Sequence, residues 1–320
     1  PVLALGDGNM CTPTSTYTVT SDQGNTSEGT LRAAILLANA NADCSQIEFA
    51  ANVRTIILDQ ATSISEDLNI IGHGSDTLTL SSNSGDTINA TGGDLHVSNL
   101  KISNSPGNGI YIYRLNGTLS VDNVLLDGNG SGIYADEATG TVVRNSTVTN
   151  SGDKGIYQKY GTLTIDNVLL DSNGTGIEAD TTFDTVVRNS TIINSTTGGG
   201  MLFSNNGTGA TLLIDKSDIS NNASASDGGG FNAFGNYSTS IKFLDSTISQ
   251  NTSGGKGGGI YISNAASSSV DVTIEQSTIS GNESIYGGGI YFDDSATLAS
   301  LTIKSTTIVN NVTTYSGAGI

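Results

Sequence analysis

Two stretches of this chain, 44 residues apart, are nearly identical. Val121-Asp-Asn-Val-Leu-Leu-Asp-Gly-Asn129 returns as Ile165-Asp-Asn-Val-Leu-Leu-Asp-Ser-Asn173, and Val142-Val-Arg-Asn-Ser-Thr-Val148 returns as Val186-Val-Arg-Asn-Ser-Thr-Ile192. The 44-residue period splits into two units of 22. The first apolar residue of each unit runs Val97, Val121, Val143, Ile165, Val187, Ile214, Phe243, Ile274, Ile303. A second apolar residue follows five positions later, from Ile102 and Leu126 through to Ile279 and Ile308. An Asn comes two or three residues after that: Asn104, Asn129, Asn150, Asn173, Asn194, Asn222, Asn251, Asn282, Asn311. A Gly-apolar pair comes next, as in Gly132-Ile133, Gly155-Ile156 and Gly259-Ile260, and a short alternating stretch such as Thr162-Leu-Thr-Ile165 closes the unit. Self-similarity at such a period is the mark of a repeat architecture.

Short period-2 segments broken by Gly and Asn exclude helices. A 22-residue unit with three such segments is one coil of a parallel β-helix. Each coil buries its apolar residues only by stacking on the next, about 4.8 Å away. Asn at a fixed position suits a left-handed turn, and stacked Asn amides bond along the ladder. Gly before the apolar residue permits tight entry into the next strand. The expected fold is therefore all-β: a right-handed parallel β-helix (solenoid) with an N-terminal capping segment. The arm and cap take 1–45, and coils of 22–31 residues take 46–320, the last of them incomplete.

The cap is read from Gly29-Thr-Leu-Arg-Ala-Ala-Ile-Leu-Leu-Ala-Asn39, whose spacing at Leu31, Ala34, Ile35 and Ala38 predicts one short amphipathic helix. Irregular first coils follow at Gln46–Ala50, Thr55–Leu58, Leu68–Ile71 and Thr77–Leu80. The two cysteines, Cys11 and Cys44, sit in no metal-binding spacing and predict one disulfide closing the N-terminal segment.

The stretch Gly29-Thr-Leu-Arg-Ala-Ala-Ile35, with Ala38-Asn39 and Ile47-Glu-Phe-Ala50 after it, resembles the N-terminal Cys-Ser-Leu-Arg-Glu-Ala motif of secreted bacterial β-helix proteins. Gly29 stands where that motif has Cys, and Ala33 where it has Glu. The repeats from Ile219 to Asn311, with Gly-Gly-Gly-Ile260 and Gly-Gly-Gly-Ile290, are similar to those of polymorphic outer-membrane adhesins. Those use Phe-x-x-Asn and Gly-Gly-Ala-Ile. The resemblance implies a pectin-lyase-like fold and a secreted, cell-surface location. It does not by itself imply an activity, because adhesins, fibres and polysaccharide-degrading enzymes share this architecture.

Composition narrows the partners. Asp and Glu outnumber Lys and Arg by 30 to 12, for a net charge of −18. That excludes the basic footprint a nucleic-acid binder needs. No apolar run is long enough for a membrane-spanning helix. Histidine occurs only as His73 and His96, which leaves little for histidine-based acid/base catalysis. The repeat itself supplies Ser or Thr near Asn, which accounts for the fourteen Asn-x-Ser/Thr sites.

Side chains between inward positions point outward and stack in columns. One column alternates in sign, Asp122, Arg144, Asp166, Arg188, Asp215, and predicts a salt-bridge ladder that fixes stacking register. A second, after the Gly-apolar pair, holds Tyr111, Tyr134, Tyr157, Tyr261 and Tyr291, interrupted by Glu178, Leu202 and Asn232. These tyrosines are the candidate binding strip, for sugar rings or for a neighbouring protein. Asp127 and Asp171 share a further column as candidate carboxylates for glycoside chemistry. Asp136, Glu137, Glu178 and Asp180 offer oxygen ligands to Ca²⁺, and no other cofactor is expected.

The expectation that the resemblance implies, and to which the tyrosine column adds a binding face, is a non-catalytic extracellular protein, either an adhesin stalk or a self-assembling fibre subunit. Its partners are then other copies of itself, stacked head to tail, or cell-surface glycans. The alternative is a carbohydrate-active β-helix enzyme, a polysaccharide lyase or glycoside hydrolase.

Overall fold

The computed structural model describes residues 10–113, 117–205, 209–235, 237–264, 269–293 and 298–320. Its contacts divide into two compact units, Pro1–Gly152 and Asp153–Ile320. The fold is a parallel β-solenoid of about 11 turns. Its strands form a long sheet, a second sheet and a short third sheet.

In the first unit the apolar columns become stacked core layers. Val97, Val121 and Val143 are successive register partners, as are Ile102, Leu126 and Val148, and all six are fully buried. Ile110 and Ile133 pair in the second sheet and close the core from the opposite side. The helix Leu31–Asn39 begins at Thr30, whose hydroxyl accepts from the Ala33 N–H at 3.2 Å. It buries the expected stripe of Leu31, Ala34, Ile35 and Ala38. The arm's strand Ser15–Val19 pairs in parallel with Ser45–Phe49. Cys11 and Cys44 are bonded, with Cα atoms 5.9 Å apart. Closing that 33-residue separation removes loop entropy from the unfolded chain, a contribution of about 3–4 kcal/mol.

The second unit repeats the logic. Ile165, Val187, Ile214, Phe243, Ile274 and Ile303 are successive register partners in the long sheet. Ile156, Ile177, Met201, Phe231, Ile260 and Ile290 follow one another in the second sheet. The two inner layers meet at Phe231 and Phe243, whose rings lie edge to face at 5.1 Å. Aromatic pairs prefer this geometry.

The recurrent Asn column divides into two kinds of residue. Asn104, Asn150 and Asn194 are left-handed, with φ of 57°, 56° and 58°. At Asn129, Asn173, Asn222, Asn251 and Asn282 the left-handed residue is instead the one before: Gly128, Ser172, Asn221, Gln250 and Gly281. Those five Asn side chains point inward and are buried. In the second unit they make a ladder. The N–H of Asn222 donates to Asn251 Oδ1 at 2.9 Å, that of Asn251 to Asn282 Oδ1 at 3.0 Å, and that of Asn282 to Asn311 Oδ1 at 3.0 Å. Each amide also donates to a backbone carbonyl, as Asn251 does to Ile219 O at 2.9 Å. A one-residue shift turns an exposed turn residue into the buried member of a hydrogen-bond column. A parallel hydroxyl column runs beside it: Ser190 accepts from the Val168 N–H, and Ser217 from that of Ser190.

Candidate functional site

The sign-alternating column forms only in part. In the first unit Asp122 is the register partner of Arg144 and accepts from Asn145 Nδ2 at 2.8 Å. In the second unit Arg188 pairs with Asp166 at 2.8 Å. Asp215, its register partner on the other side, makes no ion pair with it among the described residues.

Asp127 and Asp171 are each engaged within their own unit. Asp127 accepts from Lys101 Nζ and Asn150 Nδ2, both at 2.9 Å, and the Lys101 hydrogen bond is the main cause of its lowered pKa. Asp171 accepts from Ser172 and Asn194, each at 2.8 Å. A lowered pKa makes Asp127 a poor proton donor. Both histidines serve structure: His73 bonds Thr77 and the Val53 carbonyl, and His96 is buried against Ser120. No three His, Cys, Asp or Glu side chains come together as a metal site among the described residues, whether around Asp136 and Glu137 in the first unit or around Glu178 and Asp180 in the second.

The tyrosines of the column are register partners of their neighbours within each unit, and their surroundings differ. In the first unit Tyr111 and Tyr134 are register partners with ring centroids 5.7 Å apart, and Tyr113 stacks on Tyr111 at 6.4 Å. Burial is the main cause of the raised Tyr111 pKa, and Asp136 and Asp86 add to it. In the second unit Tyr157, Glu178, Leu202, Asn232, Tyr261 and Tyr291 follow one another as register partners. Tyr261 and Tyr291 pair at 5.8 Å. Tyr157 is only 8% exposed, so it is flanked by protein and does not stand out as a platform.

Around Tyr157 and Glu178 the outer face of the second sheet gathers ionisable groups. The strand Lys154–Lys159 supplies Lys154 and Tyr157, and Thr175–Asp180 supplies Glu178 and Asp180. Gly155 and Gly176 let the two strands lie this close. A Cβ on Gly155 would meet Gly176 O at 2.6 Å, and one on Gly176 would meet Gly200 O at 2.3 Å. Lys154 Nζ lies 2.9 Å from Asp153 Oδ2, 3.6 Å from Glu178 Oε2 and 5.8 Å from the Tyr157 ring centroid. Asp180 accepts from the hydroxyls of Thr181 and Ser204.

The cation and its inner partner respond differently. Burial works to lower the Lys154 pKa, but Asp153 and Glu178 outweigh it and the pKa is raised. Burial raises Glu178, and Lys154 offsets only part of that while Asp180 and Asp153 add to it. Lys154 therefore stays charged, and Glu178 is the member that takes up a proton. A carboxyl pushed up in this way on an outer sheet face is a candidate acid/base group.

Sequence reasoning missed Lys154. The signal was present: Lys154 precedes Tyr157 by three residues, and Glu178 takes the column position after Tyr157. A groove of about 770 Å³ lies elsewhere, between the cap helix and the strand Ser15–Val19, lined by Tyr17, Thr20, Glu28, Leu36 and Leu37 among others. It offers one carboxylate and no partner for it, so it is not the better catalytic candidate.

The right-handed β-helix region family matches residues 70–213 and 161–320. The chain belongs to the right-handed β-helix family. No curated protein matches it. Among solved structures it is similar to the A-module of the mannuronan C-5 epimerase AlgE4 of Azotobacter vinelandii, at 14% identity and a TM-score of 0.58, over 94% of this chain and 100% of that one. It is similar to the Agl-KA catalytic domain at 16% identity and a TM-score of 0.55, over 88% of this chain and 64% of that one. The A-module of AlgE6 from the same organism follows, at 13% identity and a TM-score of 0.51, over 94% and 98%. Likeness at these identities is likeness of fold. It nonetheless overturns the expectation that the chain is not an enzyme, because solved structures that share its solenoid include epimerase modules and a catalytic domain.

Proposed function

We propose that this β-helix protein is an extracellular carbohydrate-active enzyme whose reaction centre is the group Lys154, Tyr157, Glu178 and Asp180. The observation that carries the reading is Glu178, a half-buried carboxyl held 3.6 Å from a lysine, with a pKa raised by burial. Structural neighbours described as an epimerase module and a catalytic domain support the choice of an enzyme. The disulfide supports an oxidising compartment.

The chemistry follows from the two carboxyls. Glu178 and Asp180 are two residues apart on one strand, so their Cα atoms are about 6.6 Å apart and their side chains share a face. Two carboxyls on one face can serve as the acid and the base of an inverting pair, with a water between them. Protonated Glu178 gives its proton to the glycosidic oxygen as the C–O bond breaks. Asp180 takes a proton from the water whose oxygen bonds to the anomeric carbon. The water's second proton stays on the new hydroxyl. Thr181 and Ser204 hold Asp180 as an acceptor, and Lys154 orients Glu178.

The test is release of reducing ends from a panel of soluble polysaccharides by the full chain. Glu178→Gln removes the transferable proton and is expected to cut the rate at least about 100-fold, the low end for loss of a general acid. Asp127→Asn and Asp171→Asn are expected to leave the rate within about twofold. Cleavage that survives in Glu178→Gln would place the reaction elsewhere.

A further inference from the structure

Further along the column that holds Glu178, the second unit carries a cluster that the cleavage step does not use. Tyr261 and Tyr291 are register partners, both partly exposed, with ring centroids 5.8 Å apart and planes tilted by 38°. Lys256 Nζ stands over Tyr291, 4.6 Å from the ring centroid. Its pKa is raised, first through hydrogen bonding to Tyr291, so the ammonium stays charged.

Lys256 differs from the paired cations of this chain. Lys101, Lys154, Arg188 and Lys242 each meet a carboxylate within 4.0 Å. Lys256 makes no ion pair among the described residues. Asp227, a carboxylate that influences it, has its Oδ1 taken by the Lys256 backbone N–H at 2.7 Å. That bond fixes the corner and leaves the ammonium to other partners. Tyr286, the bridge partner of Lys256 in the next coil, stacks on Tyr315 at 5.2 Å. Tyr286 and Tyr315 are thus a second aromatic pair that begins at the backbone partner of Lys256.

Position adds a constraint. From Glu178 the column passes through Leu202 and Asn232 to Tyr261 and Tyr291. At about 4.8 Å per strand, Tyr261 is about 14 Å and Tyr291 about 19 Å from Glu178. A ligand that reaches both is a polymer running along the solenoid, not a single sugar. Its ring C–H faces pack on the tilted tyrosines, whose rings present a negative face. In a chain of net charge −18, an ammonium with no ion pair among the described residues favours an anionic substituent, through a charge-assisted hydrogen bond.

We propose that Lys256, Tyr261 and Tyr291 form a distal subsite for an acidic sugar unit of an extended polysaccharide, bound by stacking and by its carboxylate. The subsite deepens the reading of Glu178 as a reaction centre and rests on it for the direction of the polymer. Binding is measured by isothermal calorimetry on the full chain, in wild type and in Glu178→Gln, with three probes: mannuronan, dextran sulfate and unsubstituted dextran. Mannuronan is expected to bind, and Lys256→Met is expected to weaken it at least about tenfold, the low end for a hydrogen bond to a charged group. Lys256→Arg restores most of the loss, and Tyr261→Ser with Tyr291→Ser weakens binding further.

Equal binding of mannuronan by wild type and Lys256→Met overturns the subsite, as does tighter binding of dextran than of mannuronan. Absence of mannuronan binding in wild type overturns it as well. Dextran sulfate held as tightly as mannuronan, with the same loss in Lys256→Met, would show that a bare anion suffices and would overturn the carboxylate assignment. Because binding is read without turnover, a protein that binds mannuronan through Lys256 but cleaves nothing would refute the reaction centre and leave the subsite standing.

Discussion

Lys154 Nζ lies 3.6 Å from Glu178 Oε2 but 2.9 Å from Asp153 Oδ2, so the exposed acid holds the cation more closely than the half-buried one does. Glu178 thus has less of its neighbour's charge than its position suggests. Burial then decides its pKa, and the direction is upward.

The Lys154→Met variant tests that balance. The lysine works to lower Glu178, so removing it raises the carboxyl further. A general acid acts in its protonated form, so the alkaline limb of the pH–rate profile is expected to move to higher pH. A limb that stays in place, or moves to lower pH, would show that Lys154 does not act on the titrating group. Stability gives a second readout. A carboxyl with a raised folded pKa contributes stability that is complete below its unfolded pKa and is lost as pH rises through the folded pKa. Glu178→Gln should therefore gain on wild type as pH rises, in denaturant melts at pH 5 and pH 8.

Asn251 is the best place to break the inner ladder. It is fully buried, accepts from the Asn222 N–H and side-chain amide, and donates to Ile219 O. Asn251→Ala takes the acceptor from the buried Asn222 N–H and a donor from Ile219 O on the preceding coil, at about 1–3 kcal/mol for a buried group left unsatisfied. Asn194→Ala, at an exposed left-handed turn, loses its bond to Asp171 and should cost less than half as much. Urea unfolding of the two variants measures the difference. Equal losses would mean that the ladder adds nothing beyond the turn.

These two asparagines also show how far the sequence could be read. The apolar columns were legible because a buried position tolerates little but Val, Leu, Ile or Phe, and the spacing of Val187, Ile214 and Phe243 gave strand register directly. Asn was harder, because one residue type serves the left-handed turn at Asn194 and the buried ladder at Asn222. Only the preceding residue separates the two roles. At the candidate site, the column order from Tyr157 through Glu178 to Tyr261 was legible. The burial of Tyr157, the reach of Lys154 across to Glu178 and the lack of an acid partner for Lys256 depend on side-chain paths that no period encodes.

His96 gives the protein an acid-sensitive point in its first unit. It is buried, its Nδ1 lies 3.1 Å from Ser120 Oγ, and its register partners are Asn69 and Ser120. Burial lowers its pKa, and Asp122 offsets only part of that. The unfolded chain then holds the proton more tightly than the native one. Stability is lost as pH falls below about 6.5, the ordinary value, toward the folded pKa. His96→Gln removes that share of the pH dependence. Melting temperatures of wild type and variant should diverge between pH 7 and pH 5, with wild type losing more. Parallel curves would show that His96 does not control acid stability.

Arg188 lets the charge column be tested where its geometry is defined. It pairs with Asp166 at 2.8 Å and makes no ion pair with Asp215, although both are its register partners. Asp166→Asn should therefore cost more stability than Asp215→Asn. Both effects are bounded by the roughly 1 kcal/mol of a partly exposed pair. Arg188→Glu places a third acid between two existing ones. It should lower the melting temperature most at low ionic strength and recover part of the loss in high salt, which screens exposed charges. Equal costs for the two Asp variants would mean that Arg188 is shared between them in solution. A loss in Arg188→Glu that salt does not relieve would point to lost packing of its aliphatic stem instead of charge.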